Sequence, residues 1–206
     1  MSEKFHIRSR ADLPVYRSIN NVATLMSLAD KYGIDARALL SGSGIEMNDL
    51  EDPLKLITTV QELSFCRKVI HLVPVPWMGL EFGQHLHLSA KGKVGMAAIC
   101  CETALDALKM MISYIDLLSS YFEYDIKIDG DIGYARMKEL INLNDIRRFI
   151  CEVEFVSLYT LVSLILEETA IFKEFRLAYP APEYADKYKE VLHCPVLFDA
   201  PEHMIV

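Results

Sequence analysis

The chain has no run of lysines and arginines, no paired CxxC, no apolar stretch long enough to cross a bilayer and only one tryptophan. Each lack removes a class of protein. With 21 Lys and Arg against 29 Asp and Glu, the net charge is −8. Such a surface repels phosphate backbones, so the chain itself is not expected to read nucleic acid. The five cysteines (Cys66, Cys100, Cys101, Cys151 and Cys194) are odd in number and irregular in spacing, which does not make a disulfide framework. Most sit in apolar runs, where cysteine behaves as a small buried hydrophobe. The opening MSEKFHIRSRADLP has no apolar core of a secretory signal. The longest apolar run, FVSLYTLVSLIL, reaches 12 residues before Glu167, too few for a membrane span. The expectation is a cytoplasmic protein with no membrane partner.

What is present is core. Of 206 residues, 52% are hydrophobic and 24% charged, enough for one well-packed domain, with an apolar excess that suits a ligand cavity or subunit interface. The pattern predicts an α+β fold, an N-terminal helical part followed by a small, mainly antiparallel sheet packed against long helices. The helical part covers about 1–120. Gly33 and Gly42 read as helix stops, and Asp35 as an N-cap. Thr58 with Gln61 and Thr59 with Glu62 form two overlapping capping boxes. A helix follows from about Trp77, and another over 100–120 is capped by Thr103 and Asp106, with a stripe of Leu105, Leu108, Met111, Ile112, Ile115 and Leu118. The α+β part covers about 121–206. Strict alternation over 121–128 precedes Asp129-Gly130, the turn dipeptide of a type I′ hairpin. A nearly all-apolar helix over 145–168 must be buried on most sides. FKEFRLAY reads as a strand, APEYADKYKEVL as a short helix, and CPVLFD and HMIV as two further strands.

The stretch HLHLSAKGKVGMAAICC, residues 85–101, looks like chemistry and does not hold as such. His85, His87 and Glu81 could supply three metal ligands, but neither HExxH nor two CxxC pairs accompany them. The glycines and lysines of SAKGKVG match neither GxxxxGK[ST] nor GxGxxG. Adjacent Cys100 and Cys101 do not make an ordinary local disulfide. Histidines satisfying backbone at a helix end, and glycines that let the chain turn and a helix pack closely, account for the stretch. No metal or other cofactor is expected. SGSGI contains no GxSxG, and no serine, histidine and aspartate are informatively spaced; no enzyme is expected.

The same region resembles the arabinose-binding-like N-terminal domain of AraC/XylS-type bacterial transcription regulators. Gly79-Leu80 and Gly83 match its Gly-Leu-x-x-Gly segment, Ser89, Gly92 and Gly95 its Ser-x-x-Gly-x-x-Gly element, and Thr103 to Leu108 its following helix. Phe175, Pro180, Pro182, Tyr188, Cys194, Pro195, Val196 and Phe198 match its ending. The likeness runs from roughly residue 17 onward. It implies a single ligand-sensing and dimerisation domain over 1–206, a small-molecule effector and a homodimer. The helix-turn-helix pair of such regulators is absent from the sequence, so DNA is expected to be contacted only through that missing C-terminal part.

The pocket is expected between the hairpin and the helices over 103–119 and 145–168, mostly apolar with a few placed polar groups. Glu152, Phe155, Val156 and Tyr159 share one helical face. Glu152 is the odd member. An unpaired buried charge is costly, so its plain expectation is an exposed or rim position; lining a pocket, it would favour a cationic or amine-bearing effector. Tyr114 and Tyr124 would add hydroxyls, Trp77 and Met96 apolar walls, each with core packing as the plainer role. Arg136 on the hairpin would argue instead for a carboxylate ligand. Two other readings stand beside this one. A haem-based sensor would need an axial histidine, for which His71 is the candidate, and an enzyme on a hydrophobic small molecule would need a convergent acid, base and nucleophile.

Overall fold

The computed structural model describes residues 3–7, 16–86, 92–114, 121–130, 132–166 and 172–206. At several positions within these, Met96 among them, only the backbone is described. The chain starts with two strands, β1 (Glu3–Ile7) and β2 (Tyr16–Ser18). Helices α1 (Asn20–Asp30) and α2 (Ala36–Leu40) follow, then β3 (Leu56–Thr58), α3 (Thr59–Leu72), α4 (Met78–His85), α5 (Gly92–Ile99) and α6 (Ala104–Ser113). The second part holds β4 (Phe122–Asp129), β5 (Ile132–Glu139), the 20-residue α7 (Arg147–Leu166), β6 (Phe175–Arg176), α8 (Ala185–Leu192), β7 (Val196–Leu197) and β8 (His203–Ile205).

Local chemistry places the helix ends. Gly33 and Gly42 take left-handed φ values of +73° and +78°, a region that costs glycine little. Asp35 accepts from Ala38 N at 3.0 Å. Thr58 and Gln61 close their capping box at 3.3 and 2.9 Å. Thr103 Oγ1 accepts from Asp106 N at 3.1 Å.

Four expectations change. The N-terminal part is not purely helical, because β1 pairs antiparallel with β4, and β2 with β3; short edge strands bear no long alternating pattern. The hairpin turn falls one residue later than Asp129-Gly130. Asp129 is still in register with Ile132, and Gly130, at φ +61°, opens the turn. FKEFRLAY contributes only Phe175–Arg176 to the sheet. Glu62 turns into the core as an ion-pair partner of Arg17. Of the stripe expected over 100–120, Met111 packs with Ala98, Ala107 and Leu161. Ile115 and Leu118, and the side chains of Leu105, Leu108 and Ile112, lie outside what is described.

The six-stranded sheet has the order β1-β4-β5-β8-β6-β7, antiparallel except for the β6–β7 pair. Helix α7 runs between this sheet and α4. On its sheet side Phe155 meets Phe175 edge-on at 5.8 Å, and Cys151 faces His203. Further along, Leu161 joins the small cluster of α5 and α6. A helix enclosed on so many sides needs apolar residues all round, which is why its amphipathicity is faint in the sequence.

Candidate functional site

Helix α4 crosses closely over α7, and glycines make the approach possible. A Cβ on Gly83 would sit 2.6 Å from Val156 Cβ, and one on Gly79 would sit 2.5 Å from Glu152 Oε2 and 2.8 Å from the Phe149 carbonyl oxygen. The Gly-Leu-x-x-Gly segment thus seats one helix on the other and makes room for the carboxylate of Glu152.

That carboxylate is buried, at 1% exposure, and two tyrosines of the C-terminal segment answer it. Tyr184 and Tyr188 hydroxyls both donate to Oε1, at 2.6 and 2.5 Å. The two rings stack at 6.0 Å, one turn apart. Phe198 braces Tyr188 edge-on, and Trp77 braces Tyr184 edge-on. No hydrogen bond from a described residue reaches Oε2. Burial pushes the Glu152 carboxyl up to about 7, against the pull of both tyrosines and of Arg148; removing a carboxylate from water disfavours its charged form.

Glu152 also lines a cleft of about 440 Å³. Ile70, Val75, Pro76, Met78 and Phe149 supply apolar wall; Asn144, Asp145, Arg147, Arg148, Tyr179 and Tyr184 supply polar wall. This is the mixture a small-ligand site requires. The cleft lies at the end of α3, the 73–78 connection and the first turns of α7.

The structure places the sequence-selected residues as follows. Glu152 is not at an exposed or rim position; burial is tolerated because tyrosine hydroxyls partner it. Trp77 stands between two cleft residues, Pro76 and Met78. Phe155 and Tyr159 are buried where α7 meets Phe172 and Phe175. Tyr124 is buried and donates to Glu154. Tyr114 is 52% exposed after α6. The Met96 side chain lies outside what is described, as does His87. Arg136 is exposed and pairs with Glu202 at 2.8 Å. Sequence reasoning passed over Tyr184 and Arg148; the i, i+4 pair of Tyr184 and Tyr188 was the available signal.

Two other arrangements are satisfied internally. His85 donates through Nδ1 to the Glu81 carbonyl at 2.9 Å, and the Glu81 carboxylate accepts from Tyr32 at 2.6 Å. Ligand atoms of Glu139, Cys151 and His203 lie within 4.8 Å of one another, a grouping no spacing announced. There His203 Nδ1 accepts from Ala178 N at 3.2 Å, which leaves the proton on Nε2, toward Cys151, and Glu139 pairs with Arg147 at 2.8 Å. Burial lowers His203 to about 4 and pushes the Cys151 thiol up. These are the states of a hydrogen-bonded core group; an ion would need the Nε2 lone pair that this tautomer lacks. His71 is exposed in the last turn of α3, without the apolar enclosure an axial haem ligand needs. Among the described residues no helix is long and apolar enough to cross a membrane.

Comparison with known proteins adds the lineage. The family model for the arabinose-binding domain of AraC transcription regulators, N-terminal, matches residues 33–206. The chain is 24% identical over 181 residues to the ornithine utilization regulator of Pseudomonas aeruginosa, covering 88% of this chain and 53% of that protein. It is 24% identical over 140 residues to an uncharacterized HTH-type transcriptional regulator of Mycobacterium tuberculosis, covering 68% of this chain and 40% of that one. The crystal structure of the transcriptional regulator CdpR from Pseudomonas aeruginosa matches with a TM-score of 0.58 at 18% identity, over 70% of this chain and 47% of that chain, a likeness of fold. The chain spans about half the length of the curated relatives it matches.

Proposed function

The chain belongs to the family of arabinose-binding N-terminal domains of AraC transcription regulators, and we propose that it acts as an effector-binding domain whose ligand sits in the cleft beside Glu152. The observation that carries this is a buried carboxylate, with one oxygen free of hydrogen bonds from described residues, at the wall of a 440 Å³ cleft. The carboxylate favours an amine-bearing small molecule. The name of one relative, an ornithine utilization regulator, agrees with a small amino compound. Glu152 provides the polar anchor, and Trp77 holds Tyr184 against it. Phe155 and Tyr159 keep α7 on the sheet.

Signalling follows from differential affinity. A ligand that binds one arrangement of α4, α7 and α8 better than another shifts the population toward it, by no more than that difference. The shift is relayed to a DNA-binding part beyond this domain, in a cytoplasmic homodimer. A thermal-shift screen against amino acids, amines, short carboxylates and fatty acids tests the reading. One class should stabilise the chain, with an effect growing as RT ln(1 + [L]/Kd), and Glu152→Gln should abolish it. No stabilisation by any class would overturn the effector reading and leave dimerisation as the role of the domain.

A further inference from the structure

Charge in the cleft is mostly already matched. Asp145 pairs with Arg67 at 3.1 Å, and Arg147 with Glu139 at 2.8 Å. Two groups differ. Glu152 Oε2 receives no hydrogen bond, and Arg148 has no carboxylate within ion-pair distance, among the described residues. Arg148 stands 6.0 Å over the Tyr179 ring and lies near enough to Tyr184 and Glu152 for both to raise its pKa. Arg148 and Glu152 are four residues apart on α7, so their side chains leave the same helix face one turn apart. Tyr184, which donates to Glu152, lines the same cleft as both. Beside them Ile70, Val75, Pro76 and Phe149 form an apolar wall.

From this two-pole arrangement we infer that the effector is a zwitterionic α-amino acid with an apolar side chain. Its ammonium donates to Glu152 Oε2, its carboxylate takes the Arg148 guanidinium, and its side chain lies on Ile70, Val75 and Pro76. The inference rests on the effector reading above and narrows it. A simple amine would leave Arg148 unmatched beside its own positive charge, and a simple acid would meet the Glu152 carboxylate. A second ammonium would find only Asp145, already held by Arg67. One available anion and one available cation call for a ligand of zero net charge, and the guanidinium fork suits a carboxylate.

L-leucine and its two half-molecules make the test: 3-methylbutan-1-amine lacks the carboxylate, 4-methylpentanoate lacks the ammonium, and L-ornithine carries a second ammonium. Calorimetric titration of the chain should show L-leucine binding at least about tenfold more tightly than the other three, about 1.4 kcal/mol. Arg148→Gln should remove the preference for L-leucine over the amine, weakening L-leucine and not weakening the amine, whose charge it no longer opposes. Glu152→Gln should bring it down to the level of the acid. Arg148 is exposed, so its variant keeps the fold and the test stands even if Glu152→Gln fails to fold. An amine that matches L-leucine, ornithine that binds where L-leucine does not, or no L-leucine binding each overturns the inference. The effector reading survives those results if the compound that does bind loses affinity in Glu152→Gln. Binding that neither substitution alters would overturn both.

Discussion

At the scale of the residue, this fold repeatedly buries carboxylates and answers them with tyrosines. Glu62 takes Arg17 at 2.8 Å, Asn21 at 3.1 Å and the Tyr121 hydroxyl; Glu154 takes Tyr124; Glu152 takes Tyr184 and Tyr188. The electrostatic outcomes differ. Burial alone would raise Glu62, but Arg17, Tyr121 and Asn21 together hold it below the ordinary carboxylate value. Among the described residues Glu152 has no such cation in contact, and burial pushes it up to about 7. Its folded value lies above its unfolded one, so its contribution to stability is full below pH 4.5 and is lost as pH rises to about 7. Buried His203 has the opposite sign: held near 4, it contributes fully above pH 6.5, and that contribution is lost as pH falls toward 4. Between about pH 4.5 and 6.5 the two oppose each other. Glu152→Gln removes one of them. Denaturant unfolding at pH 4.5 and 7.5 should therefore show the variant gaining about 3 kcal/mol relative to the parent chain as pH rises. An unchanged difference between the two pH values would mean that Glu152 ionises normally in the fold.

Between elements, the decisive feature is the seating of α4 on α7. Gly83→Ala would drive a methyl to 2.6 Å from Val156 Cβ, and overpacking of this kind costs about 1–3 kcal/mol. Thermal unfolding should show that loss, and the loss should be smaller when Gly83→Ala is made in a Val156→Gly chain, which lacks the opposing Cβ. A Gly83→Ala cost that is the same in the Val156→Gly chain as in the parent chain would show that the helices do not approach so closely. The glycines were legible in the sequence as a pattern, and close helix packing was a sound reading of such a pattern. Which helix they pack on was not legible, because no spacing relates residue 79 to residue 152. The short elements were lost for another reason. Strands of two or three residues such as β6, β7 and β3 exist by pairing with distant partners rather than by any pattern of their own.

At the scale of the whole molecule, the surface bears on assembly. Leu54, Leu56, Val60 and Tyr16 expose 84%, 57%, 76% and 58% of their surface around the β2–β3 pair, an apolar grouping suited to an interface between two copies. Light scattering should give twice the 23.4 kDa chain mass, and Leu56→Asp with Val60→Asp should return it to monomer with the fold intact. A parent chain that stays monomeric at high concentration would remove the homodimer from the proposed function.

The sequence by itself determined the α+β class, the hairpin, the long buried helix and most helix ends. Those follow from periodicity and capping, which act over a few residues. It also carried the family, since Gly-Leu-x-x-Gly and the Cys-Pro-Val ending are local strings. The tertiary structure alone decided that Glu152 is buried, that Tyr184 and Tyr188 are its partners, that Arg148 shares its cleft and that Gly79 makes its space. Burial and charge pairing depend on which distant residues meet, and packing α7 against both α4 and α8 is what brings residues 79, 148, 152, 184 and 188 to one place.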